Sequence, residues 1–242
     1  EHVSFEYPDD HNKVLHDLSL DVRPGEKLAL VGPSGGGKTT LCNLIPRFYD
    51  VSAGSVTVDG VDVRDIPQHE LRDAIGYVPQ KGVLFSGDIS SNLRYGGEDA
   101  DADVLRRAAE AAQATEFIDK KDKKYDSGIA QGGSNVSGGQ KQRLSIARAV
   151  YRHPEILIFD DSFSALDFKT DRAVRDALER EAKDSTKLIV AQRIGTIMNA
   201  DRIIVLDDGK VVGQGTHHEL LDNCEVYRQI AESQLSEDEL NR

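Results

Sequence analysis

Several residue types are scarce in this sequence, and each scarcity argues against a class of protein. Cysteine occurs twice, at Cys42 and Cys224, and neither has another Cys or a His nearby at a metal-ligand spacing. We therefore expect two free thiols in a reducing compartment rather than a disulfide framework or a zinc site. The longest apolar runs, such as Leu28 to Val31, are only strand-length, far short of the ~20 residues that span a bilayer. No signal-peptide pattern is present, and the chain opens inside an apparent strand, so we expect a segment of a longer protein.

Basic residues are also in deficit. The sequence has 30 Lys and Arg against 42 Asp and Glu, which gives a formal net charge of -12. This charge argues against a broad electrostatic grip on nucleic acid phosphates or anionic lipid. The length of 242 residues suits one globular unit with an inserted lobe, and it is enough to bury a core without disulfides or a structural metal.

Short apolar strands alternate with helical stretches along most of the chain, which predicts an α/β fold around a mostly parallel sheet. Residues 1–30 and 50–65 are instead typical of antiparallel β structure. From Ser55 to Val63, apolar residues alternate on both sides of Asp59-Gly60, which is a strong hairpin signal. Residues from about 87 to 152 hold no strand run and are rich in Ala, Arg and Glu, so we expect a helical insertion there.

A phosphate-binding loop is predicted directly after the strand that ends at Val31. The loop residues are Gly32, Pro33, Ser34, Gly35, Gly36, Gly37, Lys38, Thr39 and Thr40. They fit the pattern GxxxxGK[ST] between a strand and a helix, although a glycine-rich turn with a chance lysine is the alternative. Glycines let backbone N–H groups point at phosphate oxygens, and the helix N-terminus adds partial positive charge. We expect Lys38 to reach the β- and γ-phosphates of a nucleotide and the Thr39 hydroxyl to bind Mg²⁺.

A second apolar strand, Ile156 to Phe159, ends in two carboxylates, Asp160 and Asp161. In open α/β sheets, ligands bind at the carboxyl ends of the strands. We expect Asp160 to hold Mg²⁺ through water and Asp161 to face an attacking water. The alternative for Asp161 is a helix N-cap before Ser162 to Leu166. A third strand brings Gln192 to the same edge.

The sequence around Ser137 predicts a helix that begins there and ends at about Arg152. Ser137 and Gln140 fit a capping box. The pair Gly138-Gly139 lies in the first turn, where each glycine costs up to ~1 kcal/mol relative to alanine. This cost makes sense if a phosphate must approach the bare N-terminal amides closely, while a tolerant helix cap is the alternative.

With these elements in this order, the chain resembles the nucleotide-binding domain of an ATP-binding cassette (ABC) transporter over nearly its whole length. The residues that carry the resemblance are similar to the Walker A loop (Gly32 to Thr40), Walker B (Ile156 to Asp161), the signature LSGGQ with Val for Leu (Val136-Ser137-Gly138-Gly139-Gln140), the D-loop (Ser164 to Asp167), the Q-loop (Tyr77 to Gln80) and the A-loop (Phe5 to Pro8). The resemblance implies that Tyr7 stacks on adenine and that Gln80 senses Mg²⁺ and the transmembrane partner. It also implies that Asp167 couples two ATP sites.

The resemblance implies a RecA-like P-loop NTPase core with an N-terminal antiparallel β subdomain and an inserted α-helical subdomain. The implied boundaries are 1–86 and 153–215 for the core, 87–152 for the helical signature subdomain, and 216–242 for a helical tail. The stretch Gly82 to Ile89, with Asn92-Leu93, is similar to type I (multidrug-type) exporters. That group implies transmembrane helices upstream in the same chain and a cassette at the cytoplasmic face of the membrane.

Three positions depart from the family pattern. Asp161 stands where Glu is usual in Walker B, and Gln192 stands where His is usual at the position that the family calls the switch. Residues Ser127 to Ala130 stand where the family has T-E-V-G. Aspartate is one methylene shorter, and a displacement of about 1 Å can cost roughly 10²-fold in rate. Glutamine cannot carry a proton or a positive charge, and losing such a stabiliser costs a further ~10²–10³-fold. We therefore expect a site that holds Mg²⁺ and ATP well and hydrolyses ATP poorly.

In this family two cassettes pair head to tail, so each ATP lies between one Walker A loop and the other chain's signature. A weakened Walker B and switch beside an intact signature resemble the degenerate half of a heterodimeric exporter, whose partner is a non-identical second cassette. One alternative is a competent homodimer that carries neutral or engineered changes. The other is a non-transport ABC ATPase acting on DNA or ribosomes, against which the acidic charge and the stretch Lys81 to Tyr95 both argue.

The transported substrate is not encoded here, because the transmembrane part selects it. We expect His217-His218 to lie on the surface or at a helix cap.

Overall fold

The computed structural model describes residues 1–97 and 101–240. Residues 98–100 of the predicted insertion and 241–242 of the predicted tail lie outside these ranges. The strands in chain order are β1 Val3–Tyr7, β2 Asp10–Leu18, β3 Lys27–Val31, β4 Thr57–Val58, β5 Val61–Asp62, β6 Ile75–Val78, β7 Gly87–Asp88, β8 Gly128–Ile129, β9 Ile156–Asp160, β10 Thr186–Val190, β11 Arg202–Asp207 and β12 Lys210–Gly215. The helices are α1 Lys38–Leu44, α2 Gln68–Asp73, α3 Ile89–Arg94, α4 Ala102–Ala111, α5 Thr115–Ile118, α6 Gly138–Tyr151, α7 Phe168–Glu181, α8 Ile194–Ile197, α9 His217–Asn223, α10 Glu225–Glu232 and α11 Glu237–Leu240.

The described chain forms two compact units. One comprises residues 1–75 with those from 186 onward, and the other comprises residues 76–185. The domain boundaries expected at 86, 152 and 215 stay predictions. In the first unit, four strands are neighbours in the order β12-β11-β3-β10. Strands β10 and β11 each pair parallel with β3, and β12 pairs antiparallel with β11.

Strand β3 lies in the middle of this arrangement, which explains its sequence. Its residues from Leu28 to Val31 are all buried, as expected for a parallel strand covered on both faces. Leu30 is paired with Val190 on one side and with Ile204 on the other. The chain therefore leaves β3 between two strands, and the glycine-rich loop begins at that edge.

The antiparallel β structure predicted near the N-terminus is confirmed for β1 and β2, which pair antiparallel with Val3 opposite Leu18. The predicted hairpin is also confirmed, although its strands β4 and β5 have only two residues each. Asp59 and Gly60 between them both have positive φ, at 49° and 78°. This is the backbone that a two-residue hairpin turn needs, which is why an Asp-Gly pair predicts it.

The second unit contains the predicted helices, with α3 and α4 both packed on α6. Helix α6 begins after its N-cap Ser137 and ends at Tyr151, close to the predicted bounds. The prediction that residues 87–152 hold no strand was wrong, because β7 pairs antiparallel with β8. Each of these strands has only two residues. Three of the four residues are Gly or Asp, so the sequence has no apolar run that would predict the strands.

Two expectations about scarcity can be compared with the described residues. Cys42 and Cys224 are both buried thiols that form no disulfide, as predicted. Within residues 1–97 and 101–240, no helix combines the length and the apolar character required to cross a bilayer.

The prediction that His217 lies on the surface or at a cap was wrong. His217 begins α9 and is only 3% exposed. Its Nε2 lies 3.2 Å from the backbone oxygen of Leu240, and its Nδ1 lies 2.6 Å from the hydroxyl of Tyr227. A carbonyl oxygen only accepts, so Nε2 carries the hydrogen and Nδ1 accepts from Tyr227. Burial lowers the pKa of His217, so the ring stays neutral while it joins α9 to α10 and α11.

We expect the free energy of unfolding to fall as the pH drops below about 6.5, the ordinary pKa of histidine. In that range the unfolded chain binds a proton at His217 that the folded chain does not, so folding loses stability. The variant His217→Gln retains a donor and an acceptor without titrating, so its loss of stability on acidification should be smaller. Urea unfolding at pH 5.5 and 7.5 tests this, with His218→Gln as the control on the exposed neighbour. Equal pH dependence in the unaltered chain and His217→Gln would contradict the assignment.

Candidate functional site

The glycine-rich loop joins β3 to α1 in the first unit, and close packing requires two of its glycines. A Cβ on Gly32 would lie 1.8 Å from the backbone oxygen of Leu206, so no larger residue fits without moving the strand. Gly37 is the N-cap of α1 with φ 97°, and a Cβ there would lie 2.6 Å from Cδ2 of Leu15. Gly35 has φ 80° and nothing within 4 Å of its Cβ position. The loop is therefore held against its own unit at two glycines and open at a third.

The predicted phosphate and magnesium ligands of this loop begin α1. The Nζ of Lys38 donates to the backbone oxygens of Gly32 at 2.9 Å and Pro33 at 2.8 Å. Its ammonium therefore lies across the loop, at carbonyl oxygens that a phosphate could replace as acceptors. Thr39 is exposed, while Thr40 is buried. The two side chains predicted to act on a nucleotide thus follow the exposed part of the loop, and Thr40 packs inside.

Tyr7 ends β1 and lies beside the loop. Its hydroxyl is 2.8 Å from the Oγ1 of Thr40. Its ring makes edge contacts with Phe5, at a centroid distance of 4.9 Å, and with Tyr49, at 5.3 Å. Tyr7 thus lies next to the end of the loop, within an aromatic cluster that the sequence analysis did not predict. That this ring stacks on adenine stays a prediction.

The two predicted carboxylates lie in the second unit, where β9 ends at Asp160. Both are buried. The hydroxyl of Tyr77 donates to Oδ2 of Asp160 at 3.3 Å, and Nε2 of Gln80 donates to Oδ2 of Asp161 at 3.0 Å. The residues predicted from the Q-loop and the Walker B strand are thus brought together. Asp161 has φ 50°, a conformation uncommon for non-glycine residues that recurs at functional sites.

The alternative interpretation of Asp161 as a helix N-cap does not fit the structure. Residues 162–166 form turns, and α7 begins only at Phe168. The N-cap is Asp167, which accepts from the backbone N of Thr170 at 2.9 Å and from its hydroxyl at 2.8 Å. These two bonds lower the pKa of Asp167, and the bond from the backbone of Thr170 contributes more than the bond from its side chain. Asp167 thus has a local role in starting α7, and its role in coupling two sites stays a prediction.

The glycine pair at the start of α6 has no packing reason within the described chain. The predicted capping box is confirmed, since Ser137 Oγ accepts from Gln140 N and Gln140 Oε1 accepts from Ser137 N, both at 3.2 Å. A Cβ on Gly138 would meet nothing within 4 Å, and one on Gly139 would make only an ordinary contact, 3.5 Å from the oxygen of Ala165. Two residues that weaken the first turn are therefore not explained by contacts inside the described chain.

Gln142 is a residue that the sequence analysis missed. It lies on α6 and is buried. Its Nε2 donates to the oxygen of Pro79 at 2.9 Å, and its Oε1 accepts from the N of Gly82 at 2.8 Å. The two bonds hold the backbone on both sides of Gln80. The available signal was an amide side chain within the helix rather than at its cap.

Gln192 is exposed and follows β10, so it belongs with the glycine-rich loop to the first unit. No group of three or more His, Cys, Asp and Glu side chains that could hold a metal occurs within residues 1–97 and 101–240. Mg²⁺ that arrives with a nucleotide does not require such a group, because one or two carboxylates plus phosphate oxygens and water suffice. The buried carboxylate of Asp160 and the hydroxyl of Thr39 are oxygen donors of the type that Mg²⁺ accepts.

Comparison with known proteins identifies the family of this chain. The family model "ABC transporter" matches residues 15–164. An uncharacterized ABC transporter ATP-binding protein of Mycobacterium tuberculosis is 48% identical over 235 residues, which cover 96% of this chain and 40% of that protein. An ATP-dependent lipid A-core flippase of Desulfotalea psychrophila is 47% identical and is matched over 90% of this chain and 38% of its own length. The solved structure of a bacterial Atm1-family ABC exporter with ATP bound superposes with a TM-score of 0.93 at 38% identity, covering 98% of this chain and 42% of that one.

The chain spans about two fifths of the length of these relatives. The residues matched by the family model span the glycine-rich loop, the helix start at Ser137, and the carboxylates Asp160 and Asp161. The fold is the RecA-like P-loop fold of the ABC ATPases, with a mixed sheet and helices. This chain therefore belongs to the ABC transporter family as an ATP-binding ATPase domain, homologous to those of exporters.

Proposed function

We propose that this chain binds Mg²⁺ and ATP at a site with weakened hydrolysis and lends its signature to the competent site of a non-identical partner cassette. In this role it is one of the two ATP-binding domains that drive a membrane exporter, and it lies at the cytoplasmic face of the membrane. Its partners are its own transmembrane domain, the second ATP-binding domain and the transmembrane domain of that second chain. The observation that carries the proposal is that the whole binding apparatus is present while Asp161 and Gln192 stand at the two hydrolytic positions.

Nucleotide binding is supported by the loop between β3 and α1. Ser34 and Gly35 are exposed, and the ammonium of Lys38 lies across the loop on two carbonyl oxygens. In this proposal Lys38 exchanges these neutral acceptors for phosphate oxygens, which form stronger charge-assisted bonds. Mg²⁺, when bound, would neutralise charge on the β- and γ-phosphates, and Thr39, Gln80 and Asp160 are the protein ligands that we propose for it.

Weak hydrolysis is supported by the chemistry of two side chains. The carboxylate of Asp161 already receives a hydrogen bond from Gln80, and its side chain is one methylene shorter than glutamate. It therefore positions a water molecule less well, since about 1 Å matters for such a group. Gln192 can donate to a phosphate oxygen but cannot carry a positive charge as the phosphate leaves. Both substitutions therefore lower the rate of hydrolysis without weakening the binding of ATP.

The role of the signature in a partner's site is supported by the bare start of α6. Ser137, Gly138, Gly139 and Gln140 begin a helix whose glycines meet no close neighbour in the described chain. Backbone amides at such a helix start can bind an anion that approaches closely. In this proposal the two glycines allow the phosphates of an ATP molecule bound to a second cassette to approach these amides.

The first test measures phosphate release by the purified chain with ATP and Mg²⁺. We expect slow turnover by the unaltered chain, and a rise of about 10²-fold or more in the double variant Asp161→Glu with Gln192→His, because the two hydrolytic groups return. Two copies of that variant also supply each other with intact signatures. Asp161→Asn is the control for the residual rate without a carboxylate. Fast ATP turnover by the unaltered chain alone would favour a competent homodimer and would contradict the proposal of a site with weakened hydrolysis.

The second test separates stability from function at the signature. In the double variant, Gly139→Ala should raise the free energy of unfolding by up to ~1 kcal/mol, since alanine favours the helix and its Cβ makes only an ordinary contact. The same change should lower ATP turnover, because the methyl group obstructs the approach of a phosphate. Gly128→Ala, whose Cβ would lie 3.9 Å from the nearest atom in the same unit, is the control. Unchanged turnover in Gly139→Ala would contradict a role for this helix start in catalysis.

A further inference from the structure

The C-terminal segment holds the backbone of the loop that bears Gln192. The side-chain amide of Gln234, which follows α10, makes two hydrogen bonds to this loop. Its Nε2 donates to the backbone oxygen of Gln192 at 2.7 Å, and its Oε1 accepts from the backbone N of Ile194 at 2.9 Å. One planar group therefore bridges two peptide units on either side of Arg193.

Gln234 projects from a well-anchored support. Its own backbone N donates to the oxygen of Ala231 at 3.0 Å, at the end of α10. Ala231 and Tyr227 on α10 are fully buried, and Tyr227 is bonded to His217 at 2.6 Å. Nε of Arg228 donates to the backbone oxygen of Leu221 at 2.7 Å, which joins α10 to α9. A side chain on this support can therefore fix the loop that it contacts.

The loop is also fixed on its other side. Strand β10 pairs with β3 up to Val190, and the backbone N of Ala191 donates to the oxygen of Leu30 at 3.3 Å. The peptide of Gln192 is thus held by the sheet before it and by Gln234 after it.

We infer that Gln234 is a positioning residue for position 192, so that the C-terminal segment sets the geometry of the switch loop during ATP hydrolysis. This inference rests on the proposed function, which gives position 192 its contact with the γ-phosphate. A simpler role is to cap α8, whose first N–H groups need acceptors. A cap requires only the bond from Ile194. The bond to the oxygen of Gln192 lies outside α8, and it acts on the residue that the reaction uses.

The two roles predict different results for Gln234→Glu and Gln234→Ala. Glutamate retains an acceptor for the N of Ile194 and suits a helix start, but it removes the donor to the oxygen at position 192. A cap is therefore rescued by Gln234→Glu, and a positioning residue is not. Gln229→Ala is the matched control, because Gln229 lies on α10, which ends shortly before Gln234 in the chain, and its side chain bonds to Glu225.

The assay uses the chain with Asp161→Glu and Gln192→His as its reference, since the contact with position 192 is to the backbone and survives the substitution. We expect both Gln234 variants to lower kcat about 10-fold, as a misplaced catalytic group does. The KM for ATP should stay within about twofold, and Gln229→Ala should match the reference. Recovery of kcat by Gln234→Glu, or an unchanged kcat in Gln234→Ala, would overturn the inference.

A second measurement does not depend on turnover. Amide hydrogen exchange at Ile194, followed by NMR in the otherwise unaltered chain, should accelerate in Gln234→Ala and stay unchanged in Gln229→Ala. Unchanged exchange in Gln234→Ala would overturn the inference whatever the ATPase does. A reference chain that fails to hydrolyse ATP would instead contradict the proposed function, and the exchange result would still decide whether Gln234 fixes the loop.

Discussion

The approach of Gly32 to the carbonyl oxygen of Leu206 is the constraint on which the rest of the nucleotide site depends. A Cβ at this position would lie 1.8 Å from that oxygen, so only glycine lets the chain leave β3 beside β11. This contact fixes where the loop starts, and the left-handed backbone of Gly37, with φ 97°, marks where it ends. Lys38 and Thr39 take their positions from that second point, because they begin α1. A sheet of buried apolar strands thus delivers two polar side chains to a defined place at its edge.

A second theme is that side-chain amides hold the loops that bear two of the predicted site residues, Gln80 and Gln192. Gln142 bonds the backbone on both sides of Gln80, and Gln234 bonds the backbone on both sides of Arg193, next to Gln192. Loops at strand ends have no sheet ladder to pair their backbone groups, so another partner must satisfy them. An amide supplies a donor and an acceptor at once. Each unit has one such amide, since Gln142 lies on α6 of the second unit and Gln234 follows α10 of the first.

The sequence predicted the features that have local causes. The strand before Gly32, the hairpin at Asp59-Gly60 and the capping box of α6 each follow from residues that are adjacent or nearly adjacent. The misses have non-local causes. His217 is buried because Tyr227 and Leu240 come back to it, and β7 exists only because Gly128–Ile129 lies opposite. Gln142 and Gln234 contact loops that lie 40 or more residues away in the chain, and no local pattern reveals such contacts.

The central claim is that the loop from Gly32 to Thr40 binds the triphosphate of ATP tightly although the site hydrolyses ATP slowly. Calorimetric titration of the purified chain with ATP and Mg²⁺ tests it most directly, alongside Lys38→Ala and, as a charge-matched control, Lys183→Ala on the exposed surface of the other unit. The account predicts saturable binding by the unaltered chain and by Lys183→Ala, with a Kd about 10- to 100-fold weaker in Lys38→Ala, the effect of one charged hydrogen bond of ~1.5–3 kcal/mol. No binding by the unaltered chain, or equal Kd values in all three proteins, would contradict it.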